Sequence, residues 1–129
     1  MTNTELLKNA YSLFSEGKVP EVLALFDPQI EWRECTGFPF IEGDGISVGP
    51  AAVAQDIFSQ IPVHYDGFNI QINELFGIGD KVVMVGFYKG KWKATGKEFT
   101  ANATHVWTVK ENKITHFFQA VDTAEIISP

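Results

Sequence analysis

The sequence is poor in the groups that usually announce chemistry. Its 129 residues hold a single cysteine, Cys35, with no metal-ligand spacing around it, so neither an internal disulfide nor a cysteine-based metal site follows. Positive charge is also short. Ten Lys and Arg stand against 16 Asp and Glu, leaving a net charge of −6 and no basic run, which argues against nucleic acid or an anionic membrane as partner. No apolar stretch approaches the ~20 residues of a membrane-spanning helix. The opening "MTNTELLKNA" has the pattern of a helix start and not of a signal peptide. A cytoplasmic location is therefore expected. A nucleophile elbow, a glycine-rich phosphate loop, a repeat and a linker are all missing, so a single domain over 1–129 with no metal and no cofactor is expected.

What the sequence has is apolar and aromatic. Hydrophobic residues make up 45%, with 11 Phe, three Trp and three Tyr. That composition implies a large interior, or a cavity with an aromatic lining. A chain of this length buries a core without disulfide staples.

Periodicity divides the chain in two. Residues 2–15 read as an amphipathic helix, with Thr2 and Glu5 at capping-box spacing and Gly17 as the stop. "PEVLALF" reads as a short second helix closed by Asp27-Pro28, and "QIEWREC" as a strand with Trp32 and Glu34 on one face. Residues 36–50, with four Gly and two Pro, read as a loop. Pro50 opens a third helix whose stripe is Val53, Ile57, Phe58 and Ile61, and Pro62 stops it. From there the period becomes two. Strands are expected over 67–78, 81–92, 98–109 and 114–121, with a bulge near Asn73-Glu74 and a bend at Gly86. Four successive hairpin-linked strands make an antiparallel meander. Asp122 and Glu125 have the spacing of a final helix cap. Segregated helices and strands give an α+β fold, a strongly bent sheet with three helices against its concave side.

One strand face carries the candidate chemistry. In "TANATHVWTV" that face reads Ala101, Ala103, His105, Trp107 and Val109. The two alanines leave volume, and His105 is the one polar group beside it. Burial favours the neutral imidazole, which donates one hydrogen bond and accepts another. His105 is either a working group in a pocket or a core histidine satisfied by one partner.

The pieces "LFDPQIEW", "GFPF", "VGPAAV", "GKWKATGKEF", "HVWTVKENKI" and "FQAVDTAEI" resemble the SnoaL-like (polyketide cyclase-like) branch of the nuclear transport factor 2-like, ketosteroid isomerase-like superfamily. The resemblance covers nearly the whole chain. It implies a cone-shaped domain with a deep pocket between sheet and helices, a small hydrophobic molecule as ligand, and a homodimer formed through the outer face of the sheet. It places His105 at the position of a pocket histidine of the cyclases. Gln119 stands where the cyclases carry their acid/base Asp, and an amide has no useful pKa for that role. The catalytic Tyr of the isomerases corresponds to Ala10, one residue before Tyr11, and their carboxylate to Arg33, beside Glu34.

The candidate site is then His105 with Glu34 as catalytic pair, and Tyr11, Trp32, Phe40, Trp107, Phe117 and Gln119 as ligand contacts. A carboxylate on the Trp32 face gains a raised pKa if that face is inward; otherwise Glu34 is a solvated strand end. Two functions fit. One is a cofactor-independent isomerase, lyase or hydrolase of a small apolar or carbonyl-containing substrate, with His105 as polar catalyst. The other is a non-catalytic protein that binds a small hydrophobic ligand. A protein-interaction module is a third, less favoured by the acidic surface.

Overall fold

The computed structural model describes residues 1–41 and 43–127. Helix α1 (Asn3–Ser15) starts as its sequence requires: the Thr2 hydroxyl accepts from the Glu5 amide, and the Glu5 carboxylate accepts from the Thr2 amide. Leu6, Leu7 and Ala10 form its buried stripe. Thr2→Ala is expected to cost about 1 kcal/mol, read as a lower urea midpoint. An unchanged midpoint would mean that packing alone sets the helix start. Gly17, at φ +75°, ends the helix in the left-handed region that favours glycine.

Helix α2 (Val19–Leu23) is shorter than "PEVLALF" suggests. The strand after it, β1 (Phe26–Glu34), begins early and takes in the Asp27-Pro28 pair expected to close the helix. Phe26 pairs with Ile114, and regular pairing resumes only at Glu31 with His116. Pro28 falls in the irregular stretch between, where a missing N–H costs no ladder bond. The 36–50 loop also hides a three-residue strand, β2 (Ile46–Val48), antiparallel to β1.

The third helix is broken. Helix α3 (Pro50–Asp56) ends at Ile57, and a 3-10 turn over Phe58–Gln60 leads into a further short helix, α4 (Ile61–His64). Pro62 therefore lies in the first turn of α4, where proline is tolerated, and opens a segment instead of stopping one.

The meander forms as the alternation dictates: β3 (Tyr65–Ile78), β4 (Lys81–Trp92), β5 (Glu98–Lys110) and β6 (Lys113–Val121). Glu111 and Asn112, at φ 51° and 63°, form the two-residue turn between β5 and β6. The β3–β4 register shifts between Ile72 and Glu74, at the expected bulge. A Cβ on Gly86 of β4 would lie 2.0 Å from the Gln71 carbonyl oxygen, so only glycine permits this approach of the two strands.

The six strands make one mixed sheet in the order β2-β1-β6-β5-β4-β3, with β1 parallel to β6 and every other pair antiparallel. The sheet is curled and unclosed, and the α+β layout agrees with the sequence reading. Helix α5 (Thr123–Ile127) is tied down by Tyr65, whose hydroxyl donates to the Ile126 carbonyl at 2.7 Å, and by Trp92, whose indole donates to the Glu125 carbonyl at 3.2 Å. No described helix is long and apolar enough to cross a membrane.

Candidate functional site

The inward faces of β1, β5 and β6 and the inner face of α1 meet around a cavity of about 80 Å³. That is room for two or three waters at ~30 Å³ each. Most of its wall is apolar. Trp32 stacks on Phe117 with ring centroids 3.7 Å apart and meets Trp107 edge-on at 5.8 Å. Phe40, from the loop after β1, stacks against His64 of α4 at 5.0 Å. Phe38, Phe58 and Phe68 complete an aromatic rim.

Polar groups enter this wall as one continuous chain. The Trp107 indole donates to the Tyr11 hydroxyl at 2.7 Å. Tyr11 Oη lies 2.7 Å from His105 Nδ1, and Tyr88 Oη lies 2.5 Å from His105 Nε2. The Tyr88 hydroxyl also bonds to the Gln119 amide at 2.6 Å. The other end of that amide is 2.7 and 2.9 Å from the two oxygens of Glu34, and the Trp32 indole donates to Glu34 Oε2 at 2.7 Å. Seven side chains on α1, β1, β4, β5 and β6 are joined in this way. Among the described residues no buried side-chain nitrogen or oxygen lacks a partner. A chain satisfied throughout fixes its members; a half-satisfied one would destabilise the core.

Register builds the chain. Glu34 and Gln119 are direct partners across β1–β6, as are His105 and Gln119 across β5–β6. Tyr88 pairs with Ala101, two positions along from Ala103, and Gly86 faces Ala103. Tyr88 thus reaches His105 from two pairs beyond Gly86–Ala103, the small pair that lies between Tyr88–Ala101 and Met84–His105.

Burial sets the charges. Desolvation pushes His105 down to about 3, so the imidazole is neutral at physiological pH. It pushes Glu34 up to about 8, against the hydrogen bonds from Trp32 and Gln119 that favour the carboxylate. The Tyr11 and Tyr88 hydroxyls are pushed well above the usual tyrosine range by the same cause. Among the described residues, no ion pair reaches Glu34.

The residues singled out in the sequence fall as follows. His105, Tyr11, Trp32, Phe40, Trp107, Phe117 and Gln119 line the cavity. Glu34 is buried at 4% exposure, so it is not a solvated strand end, but it stands behind Gln119 and is not part of the cavity wall. His105 and Glu34 are thus linked through Tyr88 and Gln119 and do not touch. Asp122 is exposed and outside the cavity; its carboxylate accepts from the Asn102 amide at 2.8 Å and fastens the end of β6 to β5. Tyr88 was missed. The signal for it was its place on the β4 face shared with Val82 and Met84, opposite the small residues of β5.

The SnoaL-like domain family matches residues 7–117. The chain belongs to the SnoaL-like family. A nuclear transport factor 2-like protein from Burkholderia thailandensis is 30% identical, with a TM-score of 0.90 over 100% of this SnoaL-like chain and 99% of that one. A structure of TerC co-crystallised with polyporic acid is 22% identical, with a TM-score of 0.80 over 95% and 92% of the two chains. A protein of ketosteroid isomerase-like fold from Catenulispora acidiphila, in complex with trimethylamine, is 13% identical, with a TM-score of 0.75 over 92% and 86%. A search of curated proteins finds no significant match. These likenesses show the nuclear transport factor 2-like fold.

Proposed function

We propose that this SnoaL-like protein binds a small, largely apolar molecule carrying one hydrogen-bonding oxygen, and that the Tyr11 hydroxyl is the group that meets it. The observation that carries this reading is the closed hydrogen-bond chain behind an otherwise apolar wall. Both ring nitrogens of His105 are already engaged by tyrosine hydroxyls, and the Gln119 amide is engaged at both ends. Tyr11 holds one bond from Trp107 and one with His105, and a phenolic oxygen with its proton supports one bond more. Apolar pockets with a few convergent polar groups are the ordinary form of a small-molecule site.

Binding fits better than acid–base catalysis through His105. A general base must reach the proton it removes. Among the described cavity-lining residues there is no carboxylate, amine or thiol, and Glu34 reaches the cavity only through the Gln119 amide and the Trp32 indole. If catalysis occurs, the group placed for it is Tyr11, polarising a carbonyl as a hydrogen-bond donor in an apolar site. The homodimer implied by the family resemblance remains part of the proposal, as does the identification of the ligand class.

The test is a thermal-shift screen of small ketones, phenols and alcohols. Hits are expected to raise the midpoint of the wild type. The shift should vanish in Ala10→Phe, which fills the cavity from α1, and shrink in Tyr11→Phe. Hits that shift Ala10→Phe as much as the wild type would place binding elsewhere and overturn the reading.

A further inference from the structure

The buried chain has a property that its heavy-atom positions impose. Amide oxygen and nitrogen, hydroxyl rotors and imidazole tautomers exchange roles without moving these atoms, so every bond in the chain must be given a direction. Only two complete assignments exist. With Glu34 ionised, the carboxylate accepts from the Gln119 NH₂ group and from Trp32. Gln119 then turns its oxygen to Tyr88, whose hydroxyl donates to it. Tyr88 therefore accepts from His105 Nε2–H, His105 Nδ1 is unprotonated, and the Tyr11 hydroxyl donates inward to it. Tyr11 is left with a free lone pair.

With Glu34 protonated, each step reverses. Glu34 Oε1, whose one partner among the described residues is Gln119 at 2.7 Å, carries the proton and donates it to the amide oxygen, while Oε2 still accepts from Trp32 and the amide oxygen tilts off its 2.9 Å contact with Oε2. The Gln119 NH₂ group donates to Tyr88, Tyr88 donates to Nε2, and Nδ1–H donates to Tyr11. Tyr11 now accepts from both His105 and Trp107, and its own proton is released toward the cavity it lines. Mixed assignments set two donors or two acceptors face to face in a buried site, at a cost that a satisfied chain avoids.

We propose that Glu34, without touching the cavity, selects the ligand: protonated, it makes Tyr11 a hydrogen-bond donor and admits a ketone-type carbonyl; ionised, it makes Tyr11 an acceptor. Binding of a carbonyl compound is then coupled to uptake of one proton at Glu34. This rests on Tyr11 being the ligand contact, as proposed above, but the reversal of the chain does not. The groups facing Glu34 permit the switch. Along the chain β6 contributes neutral Gln119, β4 Tyr88, β5 His105 and α1 Tyr11, and Cys35 follows directly after β1. Arg33, exposed, and Glu31, half-buried, on the same strand, are paired with each other at 3.8 Å. Asp44, in the loop that packs its Gly45 against Glu34, is exposed. With Glu34 raised to about 8, both states are reachable under mild conditions.

Two readouts separate the parts. In protein labelled with ¹⁵N-histidine, the proton of neutral His105 is expected on Nδ1 below the Glu34 titration and on Nε2 above it. Glu34→Gln, which donates from its amide as the protonated acid does, should hold Nδ1–H throughout. A His105 tautomer that ignores pH, or that is the same in Glu34→Gln and in the wild type at high pH, overturns the switch whether or not any ligand binds. Cyclopentanone and cyclopentanol then probe the cavity. Ketone affinity should fall tenfold per pH unit above the Glu34 titration, and be pH-independent in Glu34→Gln. The alcohol, which donates as well as accepts, should show no such fall. If the tautomer switches but neither probe shifts the Tyr11 resonances, the chain reversal stands, Tyr11 is not the contact and ligand selection by Glu34 is overturned.

Discussion

Tyr88→Phe is expected to lower the unfolding free energy by about 3 kcal/mol, more than any other deletion of a single hydroxyl in the protein. The Tyr88 hydroxyl bridges His105 Nε2 and the Gln119 amide, all three buried in the cavity wall. Removing it leaves a ring nitrogen and an amide group without partners, and each buried unsatisfied group costs about 1–3 kcal/mol. Phenylalanine keeps the ring, so lost packing contributes little. Tyr11→Phe should cost less, because Tyr11 itself is only half-buried at the cavity. Urea unfolding of both variants gives the ranking. Equal losses would mean that the chain behaves as separate pairs and not as a network.

The second large effect is on the pH dependence of stability, and its direction follows from two opposite shifts. Glu34 is raised from 4.5 to about 8 in the native state. Between these values the native protein holds a proton that the unfolded chain has released. The contribution is full below 4.5 and is lost as pH rises through 8. His105 is lowered from 6.5 to about 3. Between these values the unfolded chain holds the extra proton, so that contribution is full above 6.5 and is lost as pH falls toward 3. The two slopes offset each other between 4.5 and 6.5. Stability should therefore be level there and decline on both sides, on the alkaline side by about 2 kcal/mol between 6.5 and 8, at about 1.4 kcal/mol per pKa unit. Glu34→Gln should remove the alkaline decline and overtake the wild type at pH 9. Parallel curves for wild type and variant would show that Glu34 titrates normally and that its burial has been misread.

The sequence is most legible where local pattern and tertiary fold agree. The capping box of α1, the period-two meander, the two-residue turn at Glu111-Asn112 and the bulge after Ile72 all follow from near neighbours. It is least legible where a distant strand decides. Asp27-Pro28 reads as a helix terminator, yet pairing of Phe26 with Ile114 draws the stretch into β1. Ile46–Val48 lies among glycines and becomes β2 only because β1 offers an edge. The unbroken stripe Val53, Ile57, Phe58, Ile61 conceals a helix that stops at Ile57 and restarts at Ile61.

The site divides in the same way. The inward face of β5, with His105 among small residues, is visible from alternation alone. That Glu34 is buried depends on Gln119 meeting it across the β1–β6 pair, a parallel contact that no local pattern announces, with Trp32 beside it on β1. Tyr88 reads as one more aromatic in a strand until Gly86 and Ala103 are seen to face each other. Gln119, which departs from the cyclase pattern, gains a use there: an amide passes hydrogen-bond direction between Tyr88 and Glu34 without itself ionising.

The most direct test of the Tyr11-centred pocket is a crystal structure of the protein with the ketone that binds best in the screen. The carbonyl oxygen is expected within hydrogen-bond distance of Tyr11 Oη, with His105 still held between Tyr11 and Tyr88 and Glu34 still behind Gln119. A ligand oxygen bonded instead to His105 or to Glu34, with the tyrosine contacts of His105 broken, would contradict it.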